Sequence, residues 1–360
     1  MSVPYAEPRI DKYLRDRLMP VEGAIPHIPG IEMYGSSVPA GSVGGDLFEY
    51  INFQQRYDIT ARIQRALDLS KEFLEPLPED GRPRNSVDEH VVWLRSKAGF
   101  QPADETSYRE ARSSEQIRVA EDLNQLHSMA GVLLVDAEGH GIISAKIAST
   151  VHDTFHALML TELDQHGRTT PELFERLNLR LAKSVTARNA LGVNDPDEAR
   201  EVATMIYGEI HASGRFRFVN FGHPAPLVFS ARSQTFTPLG DGPMVQFPPL
   251  GLEIPEDHPD RNLYLSTVFR QKETDSSDFA DIRLINPGDI LFLYTDGVYD
   301  GTDRDERQVL EALLRECSKL SAKQICDALM NYARERDARL IAASERDRID
   351  DKTVFIIKRN

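Results

Sequence analysis

The stretch that decides the fold class is VATMIYGEIHASGRFRFVNF, residues Val202–Phe221. Both of its halves are rich in β-branched and aromatic residues, which favour strands. Only the tripeptide ASG separates the two halves, and Gly214 within it tolerates the positive φ that a tight turn requires. The sequence therefore predicts two antiparallel strands joined by a hairpin.

Further strands and helices are predicted on either side of this hairpin. Strands that cluster apart from helices, instead of alternating strictly with them, indicate an α+β fold. In the C-terminal helical region, Ser321 is predicted to be the N-cap that divides two helices. The other predicted strands are Gly45–Phe53, Gly131–Asp136, Leu227–Phe229, Asp289–Tyr294 and Thr353–Lys358, and the predicted helices are Ile143–Leu160, Pro171–Ala187 and the region Glu306–Arg339.

One long region, Gln54–Ser128, has helical periodicity and interrupts the strand-rich pattern. We interpret it as a helical insertion and predict three parts of the chain: 1–53 with an N-terminal helix and the first strands, 54–128 as the insertion, and 129–360 as the remainder of the main domain. Its predicted features are an apolar face of Ile59, Ile63, Leu67 and Leu74, a helix capped by Ser86 with Glu89 and carrying Trp93, and a stripe of Ile117, Ala120, Leu123 and Leu126.

Composition excludes several classes of function. The chain has 57 acidic against 42 basic residues, a net charge of −15, which opposes binding to nucleic-acid phosphates or anionic lipid as the main function. The longest apolar runs fall well short of the roughly 18 residues that indicate a membrane span, and the N-terminus has no apolar signal core. We expect a cytoplasmic protein with no nucleic-acid partner and no membrane partner.

Four acidic motifs carry the chemistry of the chain. Carboxylates at the edges of loops converge where strands end side by side, and oxygen donors of this kind suit hard divalent cations. A single Asp-Gly pair more commonly forms a simple turn, so the evidence for a metal site comes from the combination of the four motifs. The motifs are GGD at Gly44–Asp46, DAEGHG at Asp136–Gly141, YTDG at Tyr294–Gly297 and DDKT at Asp350–Thr353.

These motifs, in this order, resemble those of a known family. GGDLFEY, DAEGHG followed by a helix, VNFGHPAPLVF, LFLYTDGVYD and DDKTVFIIKR are similar to the motifs of the metal-dependent type 2C protein phosphatases, in the bacterial SpoIIE/RsbU-like serine phosphatase branch. The resemblance runs from about residue 14 to the C-terminus, without the insertion. It implies a four-layer α-β-β-α sandwich of two mainly antiparallel sheets, with a binuclear metal site at one end of the sheets.

The resemblance also implies which residues form that site. Asp46, Asp136 and Asp296 match the metal-ligating aspartates of the catalytic centre, and the main-chain carbonyl of Ala137 matches a further ligand. The expected cofactors are two divalent cations, Mn²⁺ or Mg²⁺. A water or hydroxide activated by both cations is the expected nucleophile.

For other candidate site residues in or near these motifs, more than one role is considered. In DDKT we expect Asp350 to be the direct metal ligand, and the alternative that Asp351 takes this place stays open. His140, inside GHG, is a candidate catalytic residue that donates a proton to the leaving group, although a His at a helix start is as often a local hydrogen-bonding residue. His223, in FGHPAP, is expected to form a turn.

The chain also departs from the family pattern. The pattern GGDxxD ends here in Glu49, one methylene longer than Asp. The stretch HDTFH places His152 and His156 at i and i+4 on one helix face, as in zinc sites, but a zinc-protease interpretation lacks a third ligand and has Asp153 where Glu belongs. We therefore expect the two histidines to be packed or exposed to solvent. The region Glu256–Ala280 also has the character of an insertion.

The expected activity is hydrolysis of a phosphoserine or phosphothreonine monoester on a regulatory protein, such as an antagonist of an anti-sigma factor. Two alternatives stay open: a catalytically silent module that binds a phosphoprotein, and a hydrolase of small phosphoesters on the same fold. The helical insertion is hypothesised to gate substrate access or to supply a partner surface, which includes a homodimer contact. The alternative, considered nearly as strong, is that the helical insertion packs on the main domain and has no role in activity.

Overall fold

The computed structural model describes residues 25–80, 82–97, 102–139, 141–190, 202–237, 246–252, 279–299 and 303–360. Two compact units divide the chain. The first unit takes its residues from Met1–Asn52, Ser128–His156 and Phe174–Asn360, and the second consists of Phe53–His127 with Ala157–Leu173. The boundaries at residues 54 and 128 stay a prediction, and the predicted N-terminal helix and most of Glu256–Ala280 lie outside the described residues.

Two sheets form the centre of the first unit, and nearly all neighbouring strands in them are antiparallel. In the described residues, sheet 1 has the strand order β1-β11-β10-β6-β7, and sheet 2 has the order β2-β3-β4-β5-β8 with β9 also paired to β5. The one parallel pair among these strands is β5 with β8. The strands are β1 Ile31–Val38, β2 Asp46–Ile51, β3 Met129–Ala137, β4 Ala203–His211, β5 Arg215–Phe221, β6 Leu227–Ser230, β7 Thr235–Thr237, β8 Gln246–Phe247, β9 Ala280–Arg283, β10 Ile290–Tyr294 and β11 Lys352–Arg359.

The predicted hairpin is confirmed. Strands β4 and β5 pair antiparallel, with Ile210 opposite Phe216 and Ile206 opposite Asn220. Gly214 in the connection has a φ of 85°, in the left-handed region that favours glycine. The short apolar sequence with its glycine was therefore sufficient to define this part of sheet 2.

Alternation along the strands places one set of side chains between the sheets. In β11, Phe355 and Ile357 belong to a buried cluster with residues of sheet 2, including Phe48 and Leu134. Their neighbours in β11, such as Ile356, point to the other face of sheet 1, because successive side chains in a strand alternate. The main apolar core therefore lies between the two sheets.

Helices cover the outer face of each sheet in the first unit. The outer face of sheet 1 forms a buried cluster with the two C-terminal helices, through residues such as Leu314 and Leu329. On sheet 2, Phe155 and Phe174 pack against Tyr207 of β4, with ring centroids 5.0 and 5.7 Å away. This arrangement confirms the α+β class and the layers of helix, sheet, sheet and helix.

The helices begin close to the predicted positions, although the helix predicted to end at Leu160 extends to His166. They are α1 Phe53–Tyr57, α2 Ile59–Leu74, α3 Ser86–Arg95, α4 Pro102–Gln125, α5 Ile142–His166, α6 Pro171–Ala190, α7 Arg304–Cys317 and α8 Ala322–Ala342. Ser321 is the N-cap of α8, and its capping box with Gln324 confirms the predicted division of the C-terminal helices. Among these residues, no helix has both the length and the apolar character needed to cross a membrane.

The second unit is helical, as predicted for its sequence, but three local predictions were wrong, one of them at Ile117 of the predicted stripe, which is 43% exposed. The N-cap of α3 is Asn85, whose side chain accepts a hydrogen bond from the Asp88 N–H, so the predicted cap at Ser86 is off by one residue. The buried residues of α2 are Ile59, Ala66, Ser70 and Phe73, whereas Leu67 and Leu74 are exposed. The helices that pack against α2 within this unit decide which of its faces is buried, and the apolar pattern of α2 alone does not.

We predict that Phe355→Ala lowers the free energy of unfolding by about 3–5 kcal/mol, the range for truncating a buried aromatic side chain. Phe355 is fully buried, and its ring packs on Phe48 and Tyr50 at centroid distances of 5.8 and 5.1 Å. Urea denaturation measures the change, with Ile285→Ala as the control because Ile285 is 72% exposed. A loss equal to that of the control would contradict the position of Phe355 in the inter-sheet core.

Candidate metal centre

Asp46 and Asp136 lie directly opposite each other on adjacent strands. They are paired in the antiparallel register of β2 and β3, where Asp46 begins its strand and Asp136 lies next to the last residue of its own. Along each strand they keep the phase of the side chains that point between the sheets, such as Phe48 and Leu134. The register therefore brings two of the predicted ligands together at one end of the sandwich.

Two threonines of sheet 1 and its adjoining loop hold the Asp46 carboxylate. The hydroxyls of Thr295 and Thr353 donate hydrogen bonds to Asp46 Oδ2 at 2.7 and 2.8 Å. Thr353 N–H also donates to Thr295 Oγ1, at 2.8 Å. The sequence interpretation missed both threonines, although one precedes the aspartate of YTDG and the other ends DDKT. Their signal was a hydroxyl residue close to the acidic residue in each motif.

Crowding of carboxylates changes the acid–base behaviour of this end of the sheets. Burial and the nearby Asp136 raise the pKa of Asp46 well above its usual range, against the lowering effect of the two threonine hydrogen bonds. Burial raises the pKa of Asp136 to about 7, with further contributions from the negative charges of Asp296, Asp350 and Asp351. The four motifs thus converge, as the sequence predicted, on one region of high negative charge.

The two glycines before Asp46 let backbone segments approach closely. A Cβ on Gly45 would lie 2.6 Å from the carbonyl oxygen of Ala137, and a Cβ on Gly44 would lie 2.3 Å from Asp351 Oδ2. Both distances are shorter than any van der Waals contact, so residues with side chains are excluded. The carbonyl proposed as a main-chain ligand therefore lies against the loop that leads into Asp46.

Asp350 and Asp351 have different surroundings. The two carboxylate oxygens of Asp351 accept hydrogen bonds from the backbone N–H groups of Ala40 and Gly45, each at 2.6 Å, and the side chain is buried. Asp350 is exposed, and its Oδ1 accepts from the Asp351 N–H at 2.8 Å. Asp351 therefore holds the loop before Asp46, and this difference favours Asp350 as the direct ligand of the pair.

The remaining candidates are placed as follows. Asp296 is exposed in the turn after β10, close enough to Asp136 to raise its pKa. His140 lies outside the described residues, so its predicted role stays a prediction. His223 is buried, its backbone N–H donates to Asn220 Oδ1 at 2.8 Å, and its ring Nδ1 lies 2.9 Å from Thr204 Oγ1. These contacts confirm the turn-forming interpretation of His223.

His156 is buried, in line with the expectation of packing, but both His152 and His156 also contact a third polar side chain. The Nε2 atoms of both histidines lie within hydrogen-bond distance of Glu49 Oε2, at 3.0 and 2.6 Å. Glu49 is the residue that departs from the family pattern. The third group that the sequence pattern lacked is therefore supplied from another element of the fold.

The acidic residues fit a pair of hard divalent cations by their chemistry. Every side-chain donor in the cluster of Asp46, Asp136, Asp296 and Asp350 is a carboxylate, and the Ala137 carbonyl adds another oxygen. Mg²⁺ and Mn²⁺ prefer such donors. Cations bound there would also neutralise the repulsion that, in addition to burial, raises the pKa values of Asp46 and Asp136.

Comparison with known proteins gives a match over most of the chain. The family model for Stage II sporulation protein E (SpoIIE) matches residues 128–267 and 281–360. Phosphoserine phosphatase RsbP of Bacillus subtilis (strain 168) is 31% identical over 173 residues, which are 48% of this chain and 34% of that protein. The aligned part is thus about a third of the length of this curated relative.

Solved structures with low sequence identity are also similar. The RsbU and RsbW domains of a Mycobacterium tuberculosis protein align with a TM-score of 0.46 and 17% identity, over 94% of this chain and 64% of that one. The SiaA-PP2C domain of Pseudomonas aeruginosa aligns with a TM-score of 0.44 and 12% identity, over 91% and 85%.

We predict that the metal-free protein loses stability as the pH rises from about 4 to about 7. The folded-state pKa of Asp136 is about 7, above its usual range, so the native state holds a proton that the unfolded chain has already released. That stabilisation is complete below the unfolded pKa and is lost as the pH passes 7. Asp136→Asn removes this charge, so at pH 7.5 the metal-free variant should melt several degrees higher than the metal-free wild type.

The same melting experiment tests metal binding. Millimolar Mn²⁺ should raise the melting temperature of the wild type and have a much smaller effect on Asp136→Asn, since a ligand stabilises only the state that binds it. Asp327→Asn, an exposed carboxylate on α8, is the matched control and should respond to Mn²⁺ like the wild type. Equal shifts in all three proteins would contradict the assignment of Asp136 as a ligand.

Proposed function

Because this chain belongs to the family of Stage II sporulation protein E (SpoIIE), we propose that it is a metal-dependent protein phosphatase that hydrolyses phosphoserine or phosphothreonine monoesters. The observation that carries the proposal is the convergence of the aspartates of four separate motifs at one end of the sheets, where burial, together with the charges of Asp296, Asp350 and Asp351, raises the pKa of Asp136 to about 7. The relative RsbP, named a phosphoserine phosphatase, supports the same substrate chemistry.

Each residue has a defined part in this proposal. Asp46, Asp136, Asp296 and Asp350, with the Ala137 carbonyl, would hold two divalent cations, Mn²⁺ or Mg²⁺. When bound, such cations lower the pKa of a coordinated water, and their positive charge stabilises the phosphoryl group in the transition state. Thr295 and Thr353 orient the Asp46 carboxylate, and Asp351 fixes the Gly44–Gly45 backbone beside it.

The chain does not require a cysteine nucleophile for this reaction. Cys317 and Cys326 are both buried, and burial raises the pKa of Cys326 to about 12. A thiol with so high a pKa is protonated at neutral pH and is a poor nucleophile. The acidic cluster is therefore the better candidate for the reacting centre.

We propose that the substrate is a phosphorylated regulatory protein, such as an antagonist of an anti-sigma factor, as the family resemblance implies. The two alternatives are a silent phosphoprotein-binding module and a small-molecule phosphoesterase. The presence of all four acidic motifs argues against the silent module. Only the choice of substrate distinguishes a protein phosphatase from a small-molecule phosphoesterase, because the fold and the metal donors are the same for both.

The test is phosphate release from a phosphoserine peptide, with and without added Mn²⁺, compared with release from a small phosphoester. We expect metal-dependent release that falls at least about 100-fold in Asp136→Asn and in Asp296→Asn, because each substitution removes a ligand charge. Asp327→Asn serves as control and should keep wild-type turnover.

Each contrary outcome contradicts a different part of the proposal. Peptide binding without phosphate release at saturating Mn²⁺ would support the silent module. Turnover of the small ester alone would support the esterase. Wild-type turnover in either active-site variant would show that the metal centre is assigned to the wrong residues.

A further inference from the structure

Glu49, His152 and His156 form a second group of metal-binding side chains in the first unit. The ligand atoms that they offer all lie within 4.8 Å of one another. Glu49 Oε2 lies 3.0 Å from His152 Nε2 and 2.6 Å from His156 Nε2. The two imidazole rings are 4.5 Å apart at their centroids and inclined by 69°. Both rings therefore direct a nitrogen to the same carboxylate oxygen.

This group lies on the opposite face of sheet 2 from the acidic cluster. Asp46 and Glu49 are three residues apart on β2, and side chains three apart in a strand point to opposite faces. Asp46 keeps the phase of Phe48 and Tyr50, which pack between the sheets. Glu49 points to the outer face, where it meets two histidines one turn apart on α5.

The spacing of the ligand atoms suits a small cation. Zinc binds imidazole nitrogen and carboxylate oxygen at about 2.0–2.2 Å, so ligands around a tetrahedral ion lie roughly 3.4 Å apart. The observed separations of 3.0 and 2.6 Å require shifts of less than 1 Å to reach that value. The side chains of His152, His156 and Glu49 are 14, 10 and 18% exposed, so solvent reaches the group and water can complete the coordination.

Charge and orientation also favour a cation at this position. Burial alone would raise the pKa of Glu49, but the hydrogen-bonding and charge interactions with His152 and His156 lower it to about 2, so the carboxylate is anionic at neutral pH. His152 Nδ1 lies 3.2 Å from Asp153 Oδ1. A carboxylate next to Nδ1 is a common partner of metal-binding histidines, because a proton held on Nδ1 leaves the Nε2 lone pair for a cation in place of the hydrogen bond to Glu49.

We propose that Glu49, His152 and His156 bind a divalent transition-metal cation of the Zn²⁺ class, separate from the cations of the acidic cluster. Imidazole with one carboxylate suits Zn²⁺ and Co²⁺, whereas the all-oxygen cluster suits Mg²⁺ and Mn²⁺. The bound cation would tie α5 to β2. Since β3 ends one residue after Asp136 and α5 begins at Ile142, this link would stiffen the connection between two motifs of the acidic cluster.

Binding is tested on the full, tag-free chain in the Asp136→Asn background, which weakens the competing acidic site. After removal of metal with a chelator, the protein is titrated with ZnCl₂ against a chromogenic chelator, and with Co²⁺ by visible absorption. We expect one tightly bound equivalent of Zn²⁺ and a tetrahedral Co²⁺ spectrum. Both should disappear in His156→Ala and in Glu49→Asp, whose shorter side chain withdraws the carboxylate.

Two further variants separate ligation from general structural damage. Asp153→Asn should weaken Zn²⁺ binding by about 10- to 100-fold, the usual effect of losing a partner that orients a metal ligand. His166→Ala, an exposed histidine on the same helix, should bind Zn²⁺ like its parent. Circular dichroism in the presence of chelator shows whether each variant is folded, and Glu49→Gln, which keeps the side-chain shape, replaces any variant that is not.

The proposal is overturned if folded His156→Ala and Glu49→Gln bind Zn²⁺ as tightly as their parent, or if the parent binds no Zn²⁺. The second outcome would leave the three side chains as a hydrogen-bonded group that joins helix to sheet. Neither outcome depends on phosphatase activity, so the zinc-class site and the proposed function fail independently.

Discussion

The acidic centre depends on the hydrogen bonds that hold the buried carboxylate of Asp46. This carboxylate is buried at the end of β2, it faces a second carboxylate across the strand pair, and it accepts hydrogen bonds from two threonine hydroxyls that belong to the other side of the sandwich. Placing a charged group in such a position is costly unless hydrogen bonds or cations compensate it. The two threonines supply part of that compensation, and they also fix the relative position of β2, the turn after β10 and the start of β11.

Residues of similar chemistry have different roles around this carboxylate. Asp351 is an acceptor for backbone N–H groups and holds the glycine loop in place, whereas its neighbour Asp350 is exposed. The glycines that precede Asp46 are required because the Ala137 carbonyl and the Asp351 carboxylate occupy the space of a side chain. An acidic motif is therefore a mixture of candidate ligands and of groups that position those ligands.

Strand β2 presents donors of two kinds because side chains alternate along it. Asp46 faces other carboxylates and threonine hydroxyls, and Glu49 faces two imidazoles on α5. Hard cations prefer the first environment and borderline transition metals the second. A single strand of six residues thus links the proposed catalytic chemistry on one face to a proposed metal-dependent connection between helix and sheet on the other.

The sequence by itself determined the features that depend on local pattern and on motif order. The β4–β5 hairpin, the N-cap at Ser321, the α+β class and the convergence of the four acidic motifs all follow from residues close together in the chain or from the collinear motifs. Tertiary structure decided what depends on residues far apart. It selected the buried face of α2, assigned Thr295 and Thr353 to Asp46 over separations of 249 and 307 residues, and gave Asp351 its backbone partners. It also brought Glu49 to His152 and His156 across 103 and 107 residues, a contact that no local pattern encodes, because the pairing of strands and the packing of a helix on them determine which distant side chains meet.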